Sequence, residues 1–179
     1  MLILPYSPDW ESQFLRIREL LATALGTTHL RIEHIGSTAV PGLAAKPIID
    51  IDIVHAKDAS FQPIIDALAS LGYFHNGDQG IPGREVFKRR KPSAGHPVLD
   101  QLQHHLYACP EDSPELNRHL HFRDYLRINQ AARNEYSQLK SDIAAAAGQD
   151  RKQYAILKET RARDFVEACL NDFTPGNTT

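Results

Sequence analysis

Residues 34–55, HIGSTAVPGLAAKPIIDIDIVH, decide how this chain folds. They end in an aliphatic run that two carboxylates, Asp50 and Asp52, interrupt. Because successive side chains of a strand point to opposite faces, the two aspartates share one face and the isoleucines take the other. Their Cα atoms would lie about 6 to 7 Å apart. Like charges within an apolar strand are costly without a cation or hydrogen-bond donors, so the pair predicts a divalent-cation site.

The tripeptide Gly36-Ser37-Thr38 follows an apolar stretch that is itself predicted to be a strand. Glycine at this place allows a tight turn and the close approach of a ligand. If a short helix begins at Ser37 or Thr38, its free N–H groups would face a phosphate. A glycine–serine turn also occurs in ordinary loops, and a D-x-D pair is often a solvated strand edge. The aliphatic residues around the aspartates favour a central strand, and hence a metal or phosphate site.

Composition narrows the class of protein. The chain has 179 residues, 42% of them hydrophobic, which suits one soluble domain with a substantial core. The formal charge of −2 argues against a dedicated nucleic-acid binder. The start, MLILPYSPDW, is not a signal peptide, and no stretch approaches a membrane span, so a cytoplasmic location is expected. Cys109 and Cys169 have no metal-ligand spacing and are predicted to be small buried hydrophobes.

Periodicity predicts a mixed α/β sheet followed by a helical cap. Helix 8–25 has Ser7 as its N-cap, and a second helix starts at the cap Ser60. From Ser113 onward the pattern is helical, as three helices. The expected division is an α/β core at 1–110, a helical part of the same domain at 111–174, and a tail at 175–179. Strands are expected at 30–35, 47–54, 73–74, 84–90 and 99–109.

The segment EHIGSTAVPGLAAKPIIDIDI, from Glu33 to Ile53, closely resembles the signature of the GrpB-like family. The resemblance continues through residues 80–84, 105–107 and 121–127 to Lys158, so it covers nearly the whole chain. It implies a branch of the nucleotidyltransferase superfamily, whose fold places a glycine–serine turn before a D-x-D strand. The implied fold class is α/β (α+β), a nucleotidyltransferase-like mixed sheet with flanking helices and a C-terminal helical cap.

One strand departs from the superfamily pattern, in which a later strand adds a third carboxylate. The matching segment, QHHLYA at 103–108, offers histidine instead. Since His104 and His105 point to opposite faces, only one can face the aspartates, and the resemblance falls on His105. Histidine can ligate a metal, act as a general base or donate a structural hydrogen bond, and these alternatives stay open.

Several cations are candidates for contacts to phosphate. Arg84 follows Pro82-Gly83 at the end of a loop, and Arg123 and Arg127 lie four apart on one helical face. With Lys158 they could clamp a triphosphate, because guanidinium groups make bidentate contacts to phosphate oxygens. Lys46 lies within the segment that resembles the family signature, and it is a further candidate for contact with phosphate. The alternative is an ordinary surface ion-pair network, which Asp124 would complete.

These observations support three functional hypotheses. The first is a metal-dependent nucleotidyltransferase acting on a small molecule, with Mg²⁺ or Mn²⁺ held by Asp50, Asp52 and His105. The second is a module that binds a nucleotide or small phosphorylated metabolite without turnover. The third is a metal-assisted phosphohydrolase. No membrane partner and no dedicated nucleic-acid binding are expected, and the sequence leaves the oligomeric state open.

Overall fold

The computed structural model describes residues 1–26, 31–90 and 95–173. These ranges contain one five-stranded sheet and six α-helices. A single 3₁₀ turn, Ser37–Ala39, follows the first strand. The strands are β1 Arg31–Ile35, β2 Ile49–His55, β3 Tyr73–His75, β4 Glu85–Arg89 and β5 His104–Pro110. The helices are α1 Asp9–Leu25, α2 Gln62–Ser70, α3 Pro114–Ile128, α4 Gln130–Ala146, α5 Arg151–Arg161 and α6 Arg163–Asp172.

The sheet has the order β1-β2-β5-β4-β3, with β2 and β5 parallel and the other pairs antiparallel. The predicted mixed sheet, with flanking helices and a helical C-terminal part, is therefore confirmed. On one face, Ile49, Ile51 and Ile53 of β2 are fully buried against α1 and α2. The opposite face of β2 carries Asp50 and Asp52, as the alternation of the sequence predicts. This second face forms the wall of the candidate site.

A second hydrophobic core joins the segment after the 3₁₀ turn to the helical part. Val40 and Leu43 are fully buried and pack with residues of α3, α4 and α5, among them Tyr136 and Tyr154. The helices α3 to α6 therefore pack against the chain that leads into β2. Both cysteines are buried and free, as predicted. None of the described helices is long and apolar enough to cross a membrane.

Several element boundaries differ from the prediction. The expected strand 99–109 begins only at His104, because Asp100 accepts a hydrogen bond from the His96 amide at 2.6 Å and a turn forms before it. The helical part contains four helices, since Asn129 has extended backbone angles and caps α4 by accepting from the Ala132 amide at 2.9 Å. Helix α2 begins at Gln62 without a side-chain cap, so Ser60 is not its N-cap.

The start of helix α1 also differs from the prediction. Helix α1 begins at Asp9 with Pro8 as its N-cap, so Ser7 is not the N-cap, although its Oγ accepts from the Asp9 amide at 3.2 Å. Leu30, the expected first residue of β1, lies outside the described residues, as does the expected tail.

Candidate functional site

The glycine turn and the first aspartate form one structural unit. Gly36 has φ +70°, in the left-handed region that favours glycine. A Cβ atom at this position would lie 2.5 Å from Asp50 Oδ2. The antiparallel register of β1 and β2 pairs Ile35 with Asp50, which brings the carboxylate against the turn. Glycine is therefore required at this position both by its backbone angle and by the Asp50 carboxylate.

His105 stands beside Asp50. The parallel register of β2 and β5 pairs the two residues, and His105 Nδ1 lies 2.8 Å from Asp50 Oδ1. Their side chains are 52% and 28% exposed, respectively, and both line the same cavity. His104 points to the other face, where its ring contacts the Tyr73 hydroxyl and the Leu102 carbonyl. The structure thus places His105 next to the carboxylate, while its role stays a prediction.

Asp52 has a different environment from Asp50. It is fully buried, and its Oδ2 lies 2.7 Å from His119 Nδ1. Its Oδ1 accepts a weak hydrogen bond from the Cys109 thiol at 3.9 Å. The other ring nitrogen of His119, Nε2, lies 3.2 Å from Glu115 Oε1. The imidazole of His119 is therefore held between two carboxylates.

The protonation of His119 follows from these contacts. Burial alone would lower its pKa, but the hydrogen bonds to Asp52 and Glu115 outweigh burial and raise the pKa of His119 to about 9. The hydrogen bond to His119 in turn lowers the pKa of Glu115. At neutral pH the ring is therefore a cation between two carboxylates. Sequence analysis missed His119, although Glu115 and His119 are spaced i,i+4 behind the Ser113 cap.

The expected cation site on Asp50, Asp52 and His105 does not fit this arrangement. Within the described ranges, no group of three or more His, Cys, Asp or Glu side chains is placed to hold a metal ion. The physical reason is the pairing of Asp52 with His119, which leaves Asp50 and His105 as the only neighbouring donors of that set. The two aspartates share a strand face but have different partners, His105 for Asp50 and His119 for Asp52.

A cavity of about 650 Å³ lies between this face of the sheet and the four helices of the helical part. Its size is within the usual range of small-molecule sites. Of the residues predicted from sequence, eight line it: Gly36, Ser37, Thr38, Lys46, Asp50, Arg84, His105 and Lys158. Asp52, Arg123 and Arg127 are absent from its wall as described.

Three lysines converge on the cavity. Lys140 is 1% exposed, and its Nζ donates to Ser37 Oγ at 3.0 Å and to the Ala44 carbonyl. Burial, and then the charge of Lys158, lower the pKa of Lys140 well below its ordinary value. Burial and Lys158 also lower the pKa of Lys46. Interaction with Tyr136 raises the pKa of Lys158, and Asp50 adds to this effect.

Two of the three lysines, Lys46 and Lys140, lie over tyrosine rings. Lys140 Nζ lies 4.5 Å from the centroid of the Tyr136 ring, and Lys46 Nζ lies 4.7 Å from that of Tyr154. No ion pair of Lys46, Lys140 or Lys158 with a carboxylate occurs in the described part of the chain. Cation–π contacts stabilise an ammonium group but bring no negative charge to it.

Arg84 and Thr38 both line the cavity, but they differ in their hydrogen-bond partners. The Arg84 guanidinium lies 4.8 Å from the centroid of the Tyr107 ring and 3.9 Å from Glu115 Oε1. Its buried Nε has no hydrogen-bond partner within the described residues. Thr38 is buried, and its hydroxyl donates to the Ile48 carbonyl at 3.2 Å while lying 3.0 Å from His34 Nε2. The Thr38 hydroxyl therefore stabilises the turn in this structure.

The expected clamp of Arg123, Arg127 and Lys158 does not form. Arg123 Nη1 donates to Glu33 Oε2 at 2.8 Å and to the His34 carbonyl at 3.1 Å, and its Nε donates to Asp124. Arg127 donates through Nε and Nη2 to the Ala39 carbonyl at 3.1 and 2.9 Å. The two guanidinium groups therefore attach α3 to β1 and to the 3₁₀ turn, whereas Lys158 lies in the cavity. Their spacing predicts that both arginines lie on the same side of α3, but it does not predict which groups they contact.

The sequence pattern of the GrpB family, described as "GrpB protein", matches residues 1–170. The chain belongs to the GrpB family. UPF0157 protein YqkA of Bacillus subtilis is 33% identical over 157 residues, or 88% of this chain and 43% of YqkA. UPF0157 protein PA4798 of Pseudomonas aeruginosa is 36% identical over 166 residues, or 93% of this chain and 64% of PA4798. The chain thus spans less than two thirds of either relative.

Two solved structures resemble this fold. The conserved protein GrpB from Enterococcus faecalis superimposes with a TM-score of 0.77 at 30% identity, covering 94% of this chain and 97% of that one. The Cid1 poly(U) polymerase superimposes with a TM-score of 0.54 at 10% identity, covering 80% of this chain and 43% of that one. At this identity the second likeness concerns the fold alone, which is nucleotidyltransferase-like.

Proposed function

We propose that the cavity binds the phosphate groups of a nucleotide or a small phosphorylated metabolite. The observation that carries this proposal is the convergence of Lys46, Lys140 and Lys158 on one cavity without a carboxylate ion pair among the described residues. Like charges at close range are unfavourable, and the lowered pKa values of Lys46 and Lys140 reflect burial and that repulsion. A ligand with several negative charges offsets both costs.

Ser37 supports the same proposal. A charged Lys140 ammonium has only donors, so Ser37 Oγ accepts from it, at 3.0 Å. The hydroxyl hydrogen of Ser37 is then free to donate into the cavity, where a phosphate oxygen is a suitable acceptor. Arg84, with its unpartnered Nε, adds a further donor group at the wall. The expected phosphate contacts of Ser37, Lys46, Arg84 and Lys158 are retained in this proposal, and Lys140 joins them.

The divalent-metal hypothesis is retained with Asp50, and without Asp52, as the aspartate that binds the cation. Mg²⁺ is usually bound through one or two carboxylates together with substrate phosphates, rather than by a cage of protein ligands. Asp50 is partly exposed and lines the cavity, so it is the one of the two aspartates that a cation arriving with the phosphates can reach. Asp52 is not available in the same way, because it is buried behind His119.

Calorimetric titration with ATP and with inorganic tripolyphosphate tests the binding proposal. Lys46→Met and Lys158→Met should each weaken binding at least about tenfold, since a hydrogen bond to a charged group contributes about 1.5 to 3 kcal/mol. Lys152→Met is the matched control, because Lys152 lies on α5 with Lys158 but is exposed and outside the cavity wall. Equal affinity of all three variants and the unchanged protein would refute the proposal.

Nucleotidyl transfer is the second candidate function. It is favoured by the nucleotidyltransferase-like fold and by the Asp50–His105 pair at the cavity. In this hypothesis His105 Nδ1 donates to the Asp50 carboxylate, and Nε2 accepts the proton of an attacking hydroxyl group. Assays over a panel of nucleoside triphosphates and small acceptors would distinguish the hypotheses. Pyrophosphate release indicates transfer, orthophosphate release indicates a phosphohydrolase, and binding without either indicates a module without turnover.

A further inference from the structure

The buried Asp52–His119–Glu115 group lies next to the cavity and has no part in the proposed phosphate contacts. Asp52 is 0% exposed, and its two carboxylate oxygens contact His119 and Cys109. His119 lies on α3, and Glu115 stands one helical turn before it. The three side chains therefore form a line from the interior of β2 to the cavity.

The order of these side chains decides what a solute in the cavity can reach. His119 and Glu115 line the cavity wall, as does Asp50. Asp52 does not line it, whereas the ring of His119, which contacts the Asp52 carboxylate, does. A cation that enters the cavity therefore meets the carboxylate of Asp50 directly but meets the ring of His119 in front of Asp52.

A buried carboxylate needs a positive partner, and the chain supplies one from its own α3. An isolated ionised carboxylate in the interior is very costly, whereas a paired and hydrogen-bonded one is tolerated. Nδ1 donates to Asp52 at 2.7 Å and Nε2 faces Glu115 at 3.2 Å, so both ring nitrogens are engaged. A divalent cation at Asp52 Oδ2 would have to displace this ring and break its contact with Glu115.

We propose that His119 takes, on Asp52, the place that a divalent cation would occupy, so that of the two aspartates only Asp50 is open to a cation in the cavity. The two aspartates on one strand face are then not a pair of metal ligands. Asp52 has His119 as its cationic partner within the chain, and Asp50 is open to the cavity. The proposal does not depend on what the three lysines bind.

Equilibrium titration with Mn²⁺ alone, followed by electron paramagnetic resonance of the free ion, tests the proposal. The unchanged protein should bind no more than one Mn²⁺ per chain, and Asp52→Asn should leave its binding within about twofold. His119→Ala opens the path to Asp52 and removes its partner. It should add one Mn²⁺ per chain or raise the affinity at least about tenfold, because an unpaired buried carboxylate strongly favours a cation.

The double variant His119→Ala with Asp52→Asn identifies the source of any gain, and its Mn²⁺ binding should return to that of the unchanged protein. A gain that survives in the double variant, or no gain in folded His119→Ala, overturns the proposal. If His119→Ala fails to fold by circular dichroism, Asp52→Asn in the otherwise unchanged protein still decides. Two bound Mn²⁺ per chain, or a loss of binding of more than about tenfold in Asp52→Asn, would contradict it. No outcome depends on phosphate affinity.

Discussion

Gly36 combines two constraints that can be separated by experiment. Its φ of +70° penalises any side chain, and a Cβ would also lie 2.5 Å from Asp50 Oδ2. Gly77 has nearly the same φ, +69°, with nothing within 4 Å of its Cβ position. Gly77 is therefore a matched control for the effect of the positive φ alone.

Gly36→Ala should destabilise the protein more than Gly77→Ala does. The positive φ alone costs about 1 to 2 kcal/mol for alanine. The overlap with Asp50 should add at least about 1 kcal/mol, since an overpacked site forces its neighbours to move. Denaturant-induced unfolding gives both free energies of unfolding. Equal losses for the two variants would show that the Asp50 carboxylate does not press on the turn.

The raised pKa of His119 predicts how the free energy of unfolding depends on pH. Its pKa is raised from 6.5 to about 9 in the folded state, so the stabilisation is fully present below about pH 6.5 and is lost as pH rises through 9. The loss from this group is on the order of 3 kcal/mol at most. His119→Gln should flatten the fall in the free energy of unfolding between pH 6.5 and 9.

The matched control for this pH dependence is His121→Gln. His121 lies on the same helix, but its ring packs against Phe173 instead of a carboxylate. The control variant should retain the pH profile of the unchanged protein. If His119→Gln and His121→Gln show the same profile, the ring of His119 is not the group that titrates.

At the level of elements, the break between α3 and α4 depends on one side chain. Asn129 accepts from the Ala132 amide at 2.9 Å and also donates to the Tyr125 hydroxyl at 3.0 Å. Asn129→Ala should cost about 1 kcal/mol of the free energy of unfolding, the usual effect of losing an N-cap. Asn134→Ala, on the exposed side of α4, should cost nothing, because alanine is the better helix former. Thermal unfolding of both variants gives the comparison, and a similar loss for both would argue against the cap.

Strand β2 and its turn could be predicted because their signals are local. The alternation of isoleucine and aspartate fixes which side chains share a face, and the parallel partner strand then places His105 beside Asp50. The family resemblance selected His105 over His104. The ends of strands and the break at Asn129 were harder to predict from the sequence, because single polar side chains decide them.

The helical contributions to the site could not be predicted in the same way. Lys140 contacts Ser37 across 103 positions of sequence, and His119 contacts Asp52 across 67. Helical periodicity tells which side a residue occupies, but the partner depends on how the helix packs. The same limitation left two readings open for Arg123 and Arg127, and their partners here are Glu33, Asp124 and main-chain carbonyl groups, as in the ion-pair alternative. Their spacing is equally compatible with a phosphate clamp.

For the whole molecule, the cavity is built by both parts of the chain. The sheet side contributes Ser37, Lys46 and Asp50, and the helices contribute Lys140 and Lys158. A ligand that contacts both sides should stabilise the protein as a unit, by about 2.7 kcal/mol at a hundred times its dissociation constant. Tripolyphosphate should therefore raise the melting temperature of the unchanged protein. It should do so much less in Lys158→Met, and an equal rise in both would place the binding site elsewhere.

A crystal structure with a non-hydrolysable nucleoside triphosphate tests the central claim most directly. The account predicts phosphate groups in the cavity, within hydrogen-bonding distance of Nζ of Lys46, Lys140 and Lys158 and of Ser37 Oγ. It also predicts that the His119–Asp52 contact is retained when the ligand is bound. Phosphate density outside this cavity, for example beside Arg123 and Arg127, or an empty cavity at saturating ligand concentration, would contradict the account.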